Sequence, residues 1–331
     1  MRRVWMVALS IALLPALLVG QRAVTIQMAS SAPAGSVWDR NLQQMSAEWR
    51  TVSGGAVTLT IFPGGQLGDE NKVVSLLRAG RPQAAALTTI GLSRMDPAFN
   101  VFGVPFFFDS YDELYTVLNR MAPALDARLQ KAGFTRLAWG NGGWVRVFSR
   151  TPVATLEDLK RVKLFTSAGE DTMVQWYKSN GFTPVALAMT DILTGLSSGQ
   201  IDAIPTTPTA ALAFQFYTRT GHMLDLGIAP LVGAVVVNTQ AWGRVPAEAH
   251  AALVKSAREM EGRLASAIPA QDATSVEEMK KRGLVVHAPA GADWATVAQS
   301  LTQSLRGAMV PAEVFDQAVK ERDAYRAARK K

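Results

Sequence analysis

The stretch VTLTIFPGGQLGDENKVVSLLRAGRPQAAALT, residues 57–88, carries a strand, a turn, a helix and a second strand in one pass. Residues 57–62 are β-branched and apolar and end at Pro63-Gly64-Gly65, a turn signal. Residues 67–80 follow as a helix, because Val73, Val74, Leu76 and Leu77 make one apolar stripe and Gly80 suits the C-terminal stop. Small and apolar residues 84–88 then make a strand. Strand and helix in alternation indicate a mostly parallel α/β sheet.

The same alternation extends on both sides. Upstream, residues 24–28 read as a strand, and Trp38, Leu42, Met45 and Trp49 recur at helical spacing. Downstream, a new strand starts after Asn141-Gly142-Gly143 and runs over residues 144–149, with Trp144, Arg146 and Phe148 on one face. Thr155 can cap a short helix with Asp158 near its third position, residues 162–166 are a strand, and residues 171–180 are a helix. Thr190 is the expected cap of a helix that buries Ile192, Leu193 and Leu196 and ends at Gly199. Residues 233–238 form a last strand, and residues 246–282 are helix-forming throughout, with a kink or break expected at Pro269. Two α/β units in succession imply two lobes.

The chain has 331 residues, 48% of them hydrophobic, which is enough for two cores and excludes a disordered or fibrous protein. Met1-Arg2-Arg3 followed by an apolar stretch over residues 4–20 reads as a secretory signal, with an uncleaved membrane anchor as the alternative. The absence of cysteine excludes disulfides, thiolate metal sites and a cysteine nucleophile. Net charge is +7 with 18% charged residues and no long basic block, so no nucleic-acid partner is expected.

Little in the sequence speaks for catalysis. His222, His250 and His287 are far apart in sequence and fit no ligand spacing, and there is no nucleophile elbow, phosphate loop or dinucleotide fingerprint. The glycines of residues 63–70 lack the Lys-Ser/Thr that a phosphate loop needs, so they read as a strand-to-helix turn. Phe106-Phe107-Phe108 reads as core or interlobe packing, with a ligand-facing role as the alternative. No enzyme, cofactor or metal is expected.

Residues 63–70, the run Val104-Pro105-Phe106-Phe107-Phe108-Asp109, residues 158–163 and residues 196–202 occur in an order that resembles the DctP-type substrate-binding proteins of tripartite ATP-independent periplasmic (TRAP) transporters. The resemblance implies a two-lobed periplasmic-binding-protein-like fold of type II, α/β, with two mixed sheets flanked by helices and a long helix bracing both lobes. It divides the chain into a signal peptide at 1–23, lobe I at 24–143 plus about 232–268, and lobe II at 144–231 plus about 269–331. It implies a periplasmic monomer that captures a small organic molecule by lobe closure and delivers it to TRAP permease subunits. A periplasmic enzyme or a ligand sensor on the same scaffold is the alternative.

Matched position by position, the resemblance implies ligand contacts at Ser30, Glu70, Thr88, Thr89, Met189, Thr206 and Thr207. Members of the family bind organic acids through an arginine that pairs with the substrate carboxylate, and this chain departs from that pattern: Phe165 stands at the arginine position and Trp144 at that of a second arginine. Arg146, two residues from Trp144, is either a substitute or a surface charge. The lining expected is hydroxyl-rich and apolar, which suits a neutral, aromatic or partly anionic ligand.

Overall fold

The computed structural model describes residues 23–291, 294, 300 and 302–329, so the expected signal segment lies outside the described residues except for Ala23. β1 (Val24–Ser30) is flanked in parallel by β2 (Val57–Phe62) and β3 (Ala84–Thr88), joined by α1 (Val37–Val52) and α2 (Glu70–Arg78). α1 buries Leu42, Met45 and Trp49, as its spacing predicts. Trp38 is half-buried and donates from Nε1 to the Asn141 carbonyl at 2.7 Å. The second helix begins at Glu70 and not Leu67 because the Asp69 side chain accepts from the Lys72 N–H at 2.8 Å and fixes the start there.

Next come α3 (Thr89–Ser93), a 3-10 turn (Pro97–Gly103), α4 (Tyr111–Lys131) and β4 (Phe134–Ser149). The strand expected to begin at Trp144 is the second half of β4, which passes through residues 141–143 with a register shift against its neighbour. Gly143 makes the passage possible: its φ is +108°, and a Cβ there would lie 2.3 Å from Asp272 Oδ2.

The second unit holds α5 (Leu156–Arg161), β5 (Lys163–Ser167), α6 (Asp171–Ser179), β6 (Thr183–Leu187), a 3-10 turn (Met189–Asp191), α7 (Ile192–Ser198), β7 (Ala203–Thr206), α8 (Pro208–Ala213) and α9 (Tyr217–Thr220). Thr155 and Asp158 form the expected capping box. Thr190 does not cap α7: it lies inside the 3-10 turn, and its hydroxyl meets Asp191 Oδ1 at 3.3 Å. Leu193, expected to be buried, is 40% exposed. Gly199 ends the helix in the left-handed region, at φ +74°.

β8 (His222–Asn238) is far longer than the strand expected at 233–238. Asp225, Gly227 and Pro230 interrupt its strand pattern in sequence, and its register with β4 shifts along that half. The chain closes with α10 (Thr239–Trp242), α11 (Ala247–Lys281), β9 (Val285–His287) and α12 (Ala312–Arg329).

The strand order is β2-β1-β3-β8-β4-β7-β5-β6, with β9 added on β8. The two mixed sheets expected are therefore one hydrogen-bonded path, because β4 and β8 run antiparallel to each other from one lobe into the other. α11 passes through Pro269 as one helix. It places Leu253, Met260 and Leu264 in the core of the first lobe and Met279 in that of the second, the bracing role expected of it. Residues 269–331 were grouped with the second lobe, whereas Val314, Phe315 and Ala318 of α12 share a first-lobe core with Phe107 and Leu118. Two of the histidines, far apart in sequence, meet in the fold: His222 and His287, 65 positions apart, face each other across β8 and β9 with Nδ1 and Nε2 2.9 Å apart.

Candidate ligand-binding site

Two adjoining cavities lie between the lobes and share Ile90 and Ser167. The inner one, about 240 Å³, is walled by Phe106 from the first lobe, Val147 and Ile228 from β4 and β8, and Phe165, Trp176 and Tyr177 from the second lobe. Trp294 and Met309, far along the chain, complete it. Phe106 adopts φ +58°, a conformation that costs an L-residue ~1–2 kcal/mol. Its N–H donates to the Ile228 carbonyl at 2.7 Å, and its ring lies 6.3 Å from that of Trp294. A strained aromatic residue held at a cavity wall is a mark of a functional site.

Glu170 and Tyr177 are the ionisable side chains of the inner lining; among the described residues no lysine, arginine or histidine lines it. Burial pushes the Glu170 carboxyl up, opposed by the guanidinium of Arg94. Burial, and then the charge of Glu170, push the Tyr177 hydroxyl up to about 12.

The outer cavity, about 360 Å³, carries more polar and charged side chains in its lining. Ser31, Glu70, Asn71 and Lys72 face Met189, Leu193 and Phe214 across it. Glu70 is 6% exposed and spends its acceptors on the protein. Ser31 Oγ donates to it at 2.8 Å, the Thr88 N–H at 3.0 Å, the Thr88 hydroxyl at 2.9 Å and the Gly91 N–H at 2.8 Å. Burial pushes its carboxyl up while these donors hold it down. Beside it a clamp crosses the cleft: Asn71 Nδ2 donates to the Ala168 carbonyl at 2.9 Å, Arg94 Nη2 donates to the Gly169 carbonyl, and Arg94 Nε donates to Asn71 Oδ1 at 2.7 Å.

The residues matched from sequence divide among several places. Phe165 and Thr89 line the inner cavity, Glu70 and Met189 the outer one, and Ser30 and Thr88 a smaller hollow of about 80 Å³ beside Trp38. Trp144, Arg146, Thr206 and Thr207 line none of these. The Trp144 ring stands edge-on to Tyr111 at 5.3 Å, and the backbone N–H of Trp144 donates to Asp272 Oδ2 at 2.9 Å. Arg146 lies opposite Thr206 in the β4–β7 register, and its Nε is 3.1 Å from Asp225 Oδ1, close enough for an ion pair though not aligned as a hydrogen bond. Thr207 is buried and caps α8, accepting from the Ala210 N–H at 3.3 Å. The two aromatic residues thus part company: Phe165 faces a cavity and Trp144 packs where β4 meets α4 and α11.

Sequence reasoning missed Glu170, Trp176, Tyr177, Ile228 and Trp294. One signal was there: Met173, Trp176 and Tyr177 make an apolar stripe on α6, a helix with no fully buried residue, so that stripe faces the cavity. Among the described residues no cluster of three or more His, Asp or Glu side chains could hold a metal, and no helix is long and apolar enough to cross a membrane.

Comparison with known proteins agrees with this architecture. The sequence model of DctP, bacterial extracellular solute-binding protein family 7, matches residues 28–307. The 2,3-diketo-L-gulonate-binding periplasmic protein YiaO of Escherichia coli K12 is 28% identical over 238 residues, 70% of this chain and 71% of that protein. The C4-dicarboxylate-binding periplasmic protein DctP of Rhodobacter capsulatus is 25% identical over 62% of each chain. An uncharacterized protein, YiiZ, of Salmonella typhimurium is 28% identical over 154 residues, about half the length of either chain (45% and 46%). Among solved structures, a TRAP periplasmic solute-binding protein from Xanthobacter autotrophicus Py2 with bound β-D-galacturonate superposes with a TM-score of 0.83 at 21% identity, covering 90% of this chain and 99% of that one. DctP7, a Bordetella pertussis extracytoplasmic solute receptor binding pyroglutamic acid, gives 0.83 at 21% identity over 91% and 100%.

Proposed function

The chain belongs to the DctP family of bacterial extracellular solute-binding proteins, family 7, and from that membership we propose that it is the periplasmic solute receptor of a TRAP transporter. It captures a small organic molecule between its lobes and hands it to membrane permease subunits; it acts as a monomer and catalyses no reaction. The observation that carries this reading is the pair of adjoining cavities between two lobes that are joined by two long strands and one long helix. Such a connection lets the lobes rotate about a hinge, and a ligand that touches both favours the closed state by its differential affinity.

The lobe boundaries expected from the sequence serve as the working division, with α12 moved to the first lobe. Relatives that bind sugar acids and C4-dicarboxylates define the first panel to test. Phe165, in the inner lining at the position where the resemblance implies an arginine, supports a ligand with an apolar or aromatic body. Natively purified protein should carry a small molecule detectable by mass spectrometry, and readdition to stripped protein should raise Tm and lower the radius of gyration. Protein that carries nothing, and that neither stabilises nor compacts with any compound of the panel, would defeat the receptor reading.

A further inference from the structure

The inner cavity is asymmetric in its hydrogen-bonding chemistry. Several donors along its wall already spend their protons on the protein: Trp176 Nε1 on Ser304 Oγ at 2.8 Å, Trp294 Nε1 on the Ala154 carbonyl at 3.1 Å, and Asn100 Nδ2 on the Met309 carbonyl at 3.0 Å. The ionisable groups are Glu170, whose carboxyl the Ser167 amide and hydroxyl act to hold down, and Tyr177, a phenol that keeps its proton. Arg94 approaches Glu170 from outside the lining, and its Nη2 and Nε are already committed to the Gly169 carbonyl and to Asn71. Glu70, the other charge acting on Glu170, is itself tied to Ser31, Thr88 and Gly91. A carboxylate brought into this space would lose its water, find no cation on the wall and face Glu170 as a like charge. A hydrogen-bond donor would meet an acceptor that desolvation strengthens.

We infer that the inner cavity takes a molecule with a single ring or branched apolar body whose buried polar end is a hydrogen-bond donor, an amide, alcohol or ammonium group, set against Glu170. The volume fits such a body, since an apolar void of about 150 Å³ accepts benzene and about 240 Å³ admits a substituted ring. This inference rests on the receptor reading and narrows it: Phe165 stands where the resemblance implies an arginine, and the charge in the inner lining is that of Glu170.

The test is calorimetry on the full mature chain at pH 8 with three matched probes, 3-phenylpropionamide, 3-phenylpropylamine and 3-phenylpropionate. The amide and the amine are expected to bind at least tenfold more tightly than the acid. In Glu170→Gln the amine should lose at least tenfold while the amide changes less than threefold; wild-type discrimination alone decides the matter if that variant does not fold. Equal or tighter binding of the acid overturns the inference, as does the failure of all three probes. An acid that binds and compacts the protein would overturn the donor-end assignment alone and leave the receptor reading standing. Failure of the receptor reading shows itself separately, in natively purified protein that carries nothing and does not respond to the sugar-acid panel.

Discussion

The inner and outer cavities share two residues and are built on opposite logic. One continuous piece of chain, residues 64–72, makes most of the first-lobe side of the outer cavity, and its polar groups are tied to each other and across the cleft. The inner cavity is assembled from segments as far apart as Phe106, Phe165, Ile228 and Trp294, and its surface is largely carbon. The bonds of the outer cavity tie the lobes to each other, whereas the inner cavity is the one proposed to take a ligand's body. A residue that lines a cavity need not bind its ligand: Glu70 has no acceptor to spare.

The largest effect expected follows from that assignment. Glu70→Gln keeps the size of the side chain but turns an amide NH2 toward donors from Ser31, Thr88 and Gly91. Unfolding stability should fall by about 3 kcal/mol, since buried donors are left unpaired. Affinity of the folded fraction for an inner-cavity probe should stay within threefold. Urea denaturation followed by calorimetry reads both, and a variant of unchanged stability with lost binding would make Glu70 a ligand contact after all.

Truncation on each side sharpens the contrast further. Phe165→Ala removes a ring from the inner wall, and ~60 Å² of lost apolar contact is worth about 1.5 kcal/mol, roughly tenfold in Kd. Met189→Ala, at an outer rim where the side chain is 38% exposed, should change the same Kd less than threefold. Reversed ranking in a titration of the two variants would put the ligand in the outer cavity.

This division also marks what was legible in the sequence. Elements with local signals came through: the strand at 57–62, the capping box at Thr155 and Asp158, and the left-handed stop at Gly199. The strand-to-helix turn at residues 63–70 also came through, and Glu70 and Met189, expected as ligand contacts, fall in the outer lining. β8 was half hidden because Asp225, Gly227 and Pro230 read as breakers, although β4 pairs with that half through register shifts. The inner cavity was hidden for a different reason. Its residues come from distant segments, and nothing local shows that the stripe on α6, half-buried throughout, borders a cavity. Glu170 precedes α6 with no motif to single it out, and only the fold puts it in the inner lining.

The smallest effect expected comes from the far edge of the inner wall. β9 pairs with β8 through His222 opposite Val285 and Leu224 opposite His287, and the two imidazoles share one close contact of 2.9 Å. The chain that follows β9 is anchored on the Ala154 carbonyl, which accepts from the Ala290 N–H at 2.9 Å and from Trp294 Nε1 at 3.1 Å. Burial pushes the His222 imidazole below its ordinary value, and the His287 charge pushes it the same way. A base whose folded value is depressed contributes stability above its unfolded value, about 6.5, and loses it as pH falls from there toward the folded value. Hydrogen exchange at Val285, Val286 and His287, corrected for intrinsic rates, should therefore quicken several-fold between pH 7.5 and pH 5. Inner-cavity affinity for the neutral 3-phenylpropionamide should weaken by less than threefold over the same range. His287→Asn removes the second positive charge and should flatten the acid response at β9; an acid response unchanged in that variant would dissociate the histidine pair from the wall that carries Trp294.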